Sequence, residues 1–149
     1  MTAPQREGRP IEILLVEDNP GDVVLIQETM KGVKLNNNLR VVGNGEEALA
    51  LLRREGKYGR VPRTDLILLD LRLPGMDGCQ VLDKIKNDDR LKFIPVVILT
   101  ASEAEEDILR AYKLKANCYI SKPVDMEQFM KVIRSIEQFW LTVVKLPTE

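Results

Sequence analysis

Histidine is missing from this chain of 149 residues, which rules out a phosphohistidine. Cysteine occurs twice, at Cys79 and Cys118, and the two are not spaced as a metal or redox pair, so both read as packing residues. No apolar run approaches the roughly 18 residues needed to span a bilayer, and the first residues carry no signal-peptide pattern. Excess charge of either sign is also lacking. The formal net charge of −1 gives no reason to expect nucleic acid or a membrane surface as partner. What remains, 44% hydrophobic and 30% charged residues, is the composition of one soluble globular domain long enough to bury a core.

Several short apolar runs end in polar residues that a buried strand has no reason to carry. Glu17 and Asp18 follow Ile11 to Val16, Asp70 follows Leu66 to Leu69, Thr100 follows Val96 to Leu99, and Lys122 follows Tyr119 to Ser121. Continuous apolar runs of this length suit strands buried on both faces of a parallel sheet. Ligands of open parallel sheets bind beyond the carboxyl ends of the strands. Aligning the strands therefore gathers three carboxylates, a hydroxyl and an ammonium around one point. Carboxylates so close cannot all stay ionised without a positive partner. Hard oxygen ligands of this kind suit Mg²⁺. Lys122 adds a fixed charge, Thr100 a donor for a phosphoryl oxygen, and the remaining carboxylate is a nucleophile able to form an acyl phosphate.

Strand-like and helix-like stretches alternate, which points to βαβ units. Asn19-Pro20 caps a helix carrying Val23, Ile26, Met30 and Val33 at helical spacing. A second strand over about Leu39 to Val42 leads to Asn44-Gly45 and a helix with Ala48, Leu49 and Leu52, which Gly56 is expected to close. A long loop, Lys57 to Thr64, precedes Asp65. Asp77 caps a third helix with Val81, Leu82 and Ile85 inward, Pro95 opens the fourth strand, and Ser102 with Glu105 forms a capping box for a fourth helix. The expected fold is α/β: a three-layer, flavodoxin-like (βα)₅ unit with parallel strand order 2-1-3-4-5. Residues 1–9 read as a flexible leader, 10–141 as the domain and 142–149 as a tail, with no room for a DNA-binding or enzymatic output domain.

In order and spacing these residues resemble the receiver domain of two-component response regulators over about residues 10 to 141. By position Asp70 matches the phospho-accepting aspartate. Glu17 and Asp18 match the acidic pair that holds Mg²⁺ together with Asp70 and the backbone carbonyl of Arg72. Thr100 matches the hydroxyl that grips the phosphoryl group, and Lys122 the family's lysine, followed by Pro123 as in its cis Lys-Pro step. Tyr119 matches the aromatic switch, and Leu73-Pro74-Gly75-Met76-Asp77-Gly78 the loop into the third helix. The resemblance implies a cytoplasmic phosphoacceptor, not an enzyme in the usual sense, fed by a sensor histidine kinase. Lacking histidine, the chain must receive its phosphate from another protein or a small donor. Arg72 is an unusual cation at the rim, either merely solvated or tuning phosphate entry and exit.

The final helix carries Phe129, Val132, Ile133, Ile136 and Trp140 as one stripe, which covering the sheet explains. Phe139, Leu141, Val143, Val144 and Leu146 extend apolar character beyond it, and such surplus marks an interface or a tail folded back on its own domain. Ile136-Glu137-Gln138-Phe139-Trp140-Leu141, with Val144-Lys145-Leu146-Pro147, resembles the C-terminus of regulators paired with phytochrome-type kinases, as do the long loop before Asp65 and Asn117-Cys118-Tyr119. That subfamily implies a homodimer, and the apolar surplus points to Phe139, Trp140, Val143 and Leu146 as its interface. Two other readings are weaker. A haloacid-dehalogenase-like phosphatase needs a second acid two residues after its nucleophile, where Arg72 stands, and a phosphate-independent adaptor would not need the intact site.

Overall fold

The computed structural model describes residues 10–33, 36–101, 110, 113 and 118–139, with the backbone alone at Thr100, Cys118 and residues 136–139. Five parallel strands form one sheet: β1 (Ile11–Val16), β2 (Asn37–Val42), β3 (Leu66–Asp70), β4 (Val96–Thr100) and β5 (Cys118–Ser121), in the order β2-β1-β3-β4-β5. This is the expected flavodoxin-like order. β2 begins two residues earlier than its apolar run because Asn37 and Asn38 already pair with Ile11 and Glu12 of β1.

Successive side chains of a strand point to opposite faces, and here they sort into two cores. Leu14, Val16, Ile67, Leu69, Val96 and Ile98 face α2 (Gly45–Leu52) and α3 (Gly78–Lys86). Ile13, Leu15, Leu66, Leu68, Val97 and Leu99 face α1 (Pro20–Gly32) and the last described helix, α4 (Met126–Phe139). All five residues of β3 are buried, as the central strand of a three-layer sandwich must be. Val81, Leu82 and Ile85 of α3 and Phe129 and Ile133 of α4 are fully buried. Each contributes about 1.5–3 kcal/mol relative to exposure.

The caps behave as the sequence suggests. Asn19 accepts the Asp22 N–H at 3.0 Å, Asn44 accepts the Glu47 N–H at 2.8 Å, and Asp77 exchanges both bonds of a capping box with Gln80. Pro95 stands just before β4, its carbonyl accepting the Ile67 N–H.

The end of α2 differs from expectation. The helix stops at Leu52, and it is Arg54, at φ 56°, that takes the left-handed position a glycine usually fills. The Glu55 N–H bonds the Ala50 carbonyl and the Arg54 N–H bonds the Leu51 carbonyl, the pair of bonds that satisfies a helix end in a Schellman motif. Gly56 instead opens a short 3₁₀ turn, Gly56–Tyr58, whose tyrosine hydroxyl donates to Glu47. The long loop is thereby fastened back onto α2.

The predicted fourth helix, with its Ser102–Glu105 box, lies outside the described residues except that Arg110 and Lys113 are helical. The leader 1–9, Trp140 and the tail from Leu141 onward, with Val143 and Leu146, also lie outside them, as does the side chain of Phe139. Among the described residues no helix is long and apolar enough to cross a membrane.

Candidate phosphoryl-accepting site

Strand register builds the site. Val16 pairs with Leu69, Asp70 with Leu99, and Leu99 with Ile120. Glu17 therefore exits β1 level with Asp70 at the end of β3, while Thr100, paired with Ser121, and then Lys122 follow one and two positions further on. The sheet thus brings Glu17, Asp18, Asp70 and Lys122, and the backbone of Thr100, to the carboxyl ends of its strands.

Asp70 is buried, and its surroundings hold it in place. Its Oδ1 accepts the Arg72 N–H at 3.0 Å, and its Oδ2 accepts from Lys122 Nζ at 3.1 Å. Gly78 keeps this turn closed. Its N–H donates to the Leu71 carbonyl at 2.9 Å, and a Cβ there would overlap the Asp70 carbonyl oxygen and lie 2.6 Å from Leu71 Cα. Only a glycine lets α3 start so near Asp70.

Lys122 reaches in from the other side of a cis Lys122–Pro123 peptide bond, with its side chain 8% exposed. Its ammonium meets Glu17 Oε1 at 2.6 Å and Asp22 Oδ2 at 2.8 Å in addition to Asp70. Burial by itself would lower the lysine's pKa, but the hydrogen bonds to Asp22 and Asp70 and the close carboxylate of Glu17 outweigh it and raise it, so the ammonium keeps its charge. Glu17 responds oppositely. Burial, then the neighbouring Asp70 carboxylate, pushes its carboxyl up to about 7, against the pull of Lys122. Its other oxygen accepts the Asn19 N–H at 3.2 Å.

One ligand atom from each of Glu17, Asp18 and Asp70 lies within 4.8 Å of the others, with Glu17 and Asp70 buried and Asp18 exposed. Glu17 Oε1, though near Lys122, has no hydrogen bond of good geometry. A buried carboxylate oxygen left so, beside two further carboxylates, fits a hard divalent cation with room for water on the Asp18 side. Tyr119 lies in β5, 36% exposed, at the edge next to the site. The Thr100 side chain is outside the described atoms, although its backbone ends β4 beside Ser121.

Sequence reasoning missed Asp22. An acid in the first turn of a helix is ordinarily a dipole partner, and the sole signal was its place one turn after Asp18.

Residues 13–134 match the response regulator receiver domain family. Response regulator Rcp1 of Synechocystis sp. is 44% identical over 138 residues, 93% of this chain and 94% of that protein. The solved structure of the phosphorylated cyanobacterial phytochrome response regulator RcpA is 46% identical, with a TM-score of 0.76 over 93% of this chain and 99% of that one. The Mn²⁺-bound form of Rcp1 is 44% identical, with a TM-score of 0.74 over 93% and 100% of the two chains.

Proposed function

The chain belongs to the response regulator receiver domain family, a family of signalling proteins, and from that membership we propose that it is a single-domain response regulator phosphorylated on Asp70 by a sensor histidine kinase. The observation that carries the proposal is the Lys122 ammonium 3.1 Å from Asp70 Oδ2, inside a group of carboxylates. An oxygen of the Asp70 carboxylate attacks phosphorus. A P–O bond forms as the donor's P–N bond breaks, and the electron pair leaves on the imidazole nitrogen. Lys122 balances charge on the transferred oxygens, and burial of Asp70 excludes competing water. Thr100 takes a phosphoryl oxygen, and Tyr119, at the adjacent edge, moves inward as the switch.

Glu17, Asp18, Asp70 and the Arg72 carbonyl are the residues that would hold Mg²⁺, which when bound neutralises charge on the phosphoryl oxygens. The Mn²⁺-bound form of the relative Rcp1 supports a divalent ion here. The same chain's own groups then serve its self-catalysed phosphoryl transfer and loss. Similarity to phytochrome response regulators supports a kinase of phytochrome type, a cytoplasmic setting and a switch in protein–protein contacts. Residues 10–141 act as the domain, and Phe139, Trp140, Val143 and Leu146 join two copies as a homodimer.

Labelling tests the proposal. Acetyl phosphate or a phosphohistidine donor with Mg²⁺ should give an acid-stable, base-labile phosphate on the wild type and none on Asp70→Asn. Labelling that survives the substitution removes Asp70 as acceptor.

A further inference from the structure

The contact between Asp22 and Lys122 is not needed to accept a phosphoryl group on Asp70 or to hold a divalent ion at Glu17, Asp18 and Asp70. A lysine ammonium has three N–H donors and no acceptor. Here it faces three carboxylates: Glu17 at 2.6 Å, Asp22 at 2.8 Å and Asp70 at 3.1 Å. The three differ in depth. The Glu17 side chain is 0% exposed and that of Asp70 is 6%, whereas Asp22 is 29% exposed. Asp22 thus lies on the outward side of the ammonium, where water would otherwise take the donor. The carboxylate is launched from a fixed point, because the Asp22 N–H is capped by Asn19 in the first turn of α1.

We propose that Asp22 is a positioning residue, whose carboxylate occupies the outward donor of the Lys122 ammonium and so aims another donor at Asp70. The consequence for phosphoryl transfer rests on Asp70 being the acceptor. With the outward donor satisfied by protein, the ammonium does not have to be turned or stripped of water when phosphoryl oxygens arrive. Orientation settled in advance is a rate advantage that binding of the donor does not share. The alternative explanation, an N-terminal acid that only complements the helix dipole, stabilises α1 and leaves the ammonium's surroundings untouched.

Two readouts separate these ideas and separate both from the Asp70 reading. In full-length, nitrogen-15-labelled protein without phosphate, exchange of the Lys122 ammonium hydrogens with water should accelerate about tenfold in Asp22→Ala. It should return most of the way in Asp22→Asn, which keeps an acceptor oxygen. With Mg²⁺ and acetyl phosphate, the maximal phosphorylation rate of Asp22→Ala should fall about tenfold at unchanged half-saturating donor concentration, with partial rescue by Asp22→Asn. Ammonium exchange equal to wild type in Asp22→Ala overturns the positioning role, whether or not the protein takes up phosphate. An unchanged maximal rate overturns its consequence for transfer. A wild type that takes up no phosphate strikes the Asp70 reading instead, and accelerated exchange in Asp22→Ala still upholds the anchoring.

Discussion

Glu17 and Lys122 stand 2.6 Å apart at the ends of β1 and β5, both nearly closed to solvent. The pair is unbalanced. Glu17 is deep among other carboxylates and titrates near 7, while Lys122 stays charged.

A carboxyl whose folded pKa is raised contributes stability that is fully present below its unfolded value. That contribution is lost as pH climbs through the folded value. For Glu17 the window runs from 4.5 to about 7. Urea denaturation without divalent metal should show wild type losing stability relative to Glu17→Gln across that window, by up to about 3 kcal/mol. A difference independent of pH would mean that Glu17 is ionised throughout.

Divalent ions should reverse the trend, since binding needs the carboxylate. Calorimetry should find weak Mg²⁺ binding that releases a proton below pH 7 and strengthens as pH rises. Asp18→Ala should weaken it strongly, and Glu17→Ala less if Glu17 acts through a water. Unchanged affinity in Asp18→Ala removes Asp18 from the ion.

Arg54 offers a test of the fold alone. Its left-handed backbone costs an L-residue what glycine avoids, so Arg54→Gly should stabilise the protein by about 0.5–1 kcal/mol. The urea midpoint should rise with an unchanged slope. No gain would mean that the loss of chain stiffness in the unfolded state offsets the relief.

The sheet order was legible, and a single rule, polar residues at the ends of apolar runs, anticipated that Glu17, Asp18, Asp70, Lys122 and the backbone of Thr100 meet at the carboxyl ends of the strands. The helix stripes followed from periodicity, and Val81, Leu82 and Ile85 are buried as their spacing implies. The end of α2 was not legible, because glycine marked Gly56, itself left-handed, while the helix-closing hydrogen bonds fall around Arg54 two residues earlier. Asp22 was hidden for another reason. Its partner is 100 residues away, and whether the first turn of α1 points at the sheet edge depends on packing that no local pattern records.

Dimerisation through the surplus apolar residues at the end of the chain is the prediction that reaches furthest from the site. Light scattering at tens of micromolar should give a dimer for wild type and a folded, phosphorylatable monomer when Phe139 and Val143 are both made charged. Each large side chain so buried contributes about 1.5–3 kcal/mol. A monomeric wild type, with and without phosphate, would mean that the tail packs on its own domain.

The most direct measurement is the location of the phosphate itself. Phosphorylated protein treated with borohydride converts an aspartyl phosphate to homoserine, which peptide mass spectrometry places in the chain. Homoserine at position 70, absent when Lys122 or Mg²⁺ is removed from the reaction, is the predicted result. Homoserine at Asp18 or Asp22 instead, or none in protein that has demonstrably taken up phosphate, would contradict it.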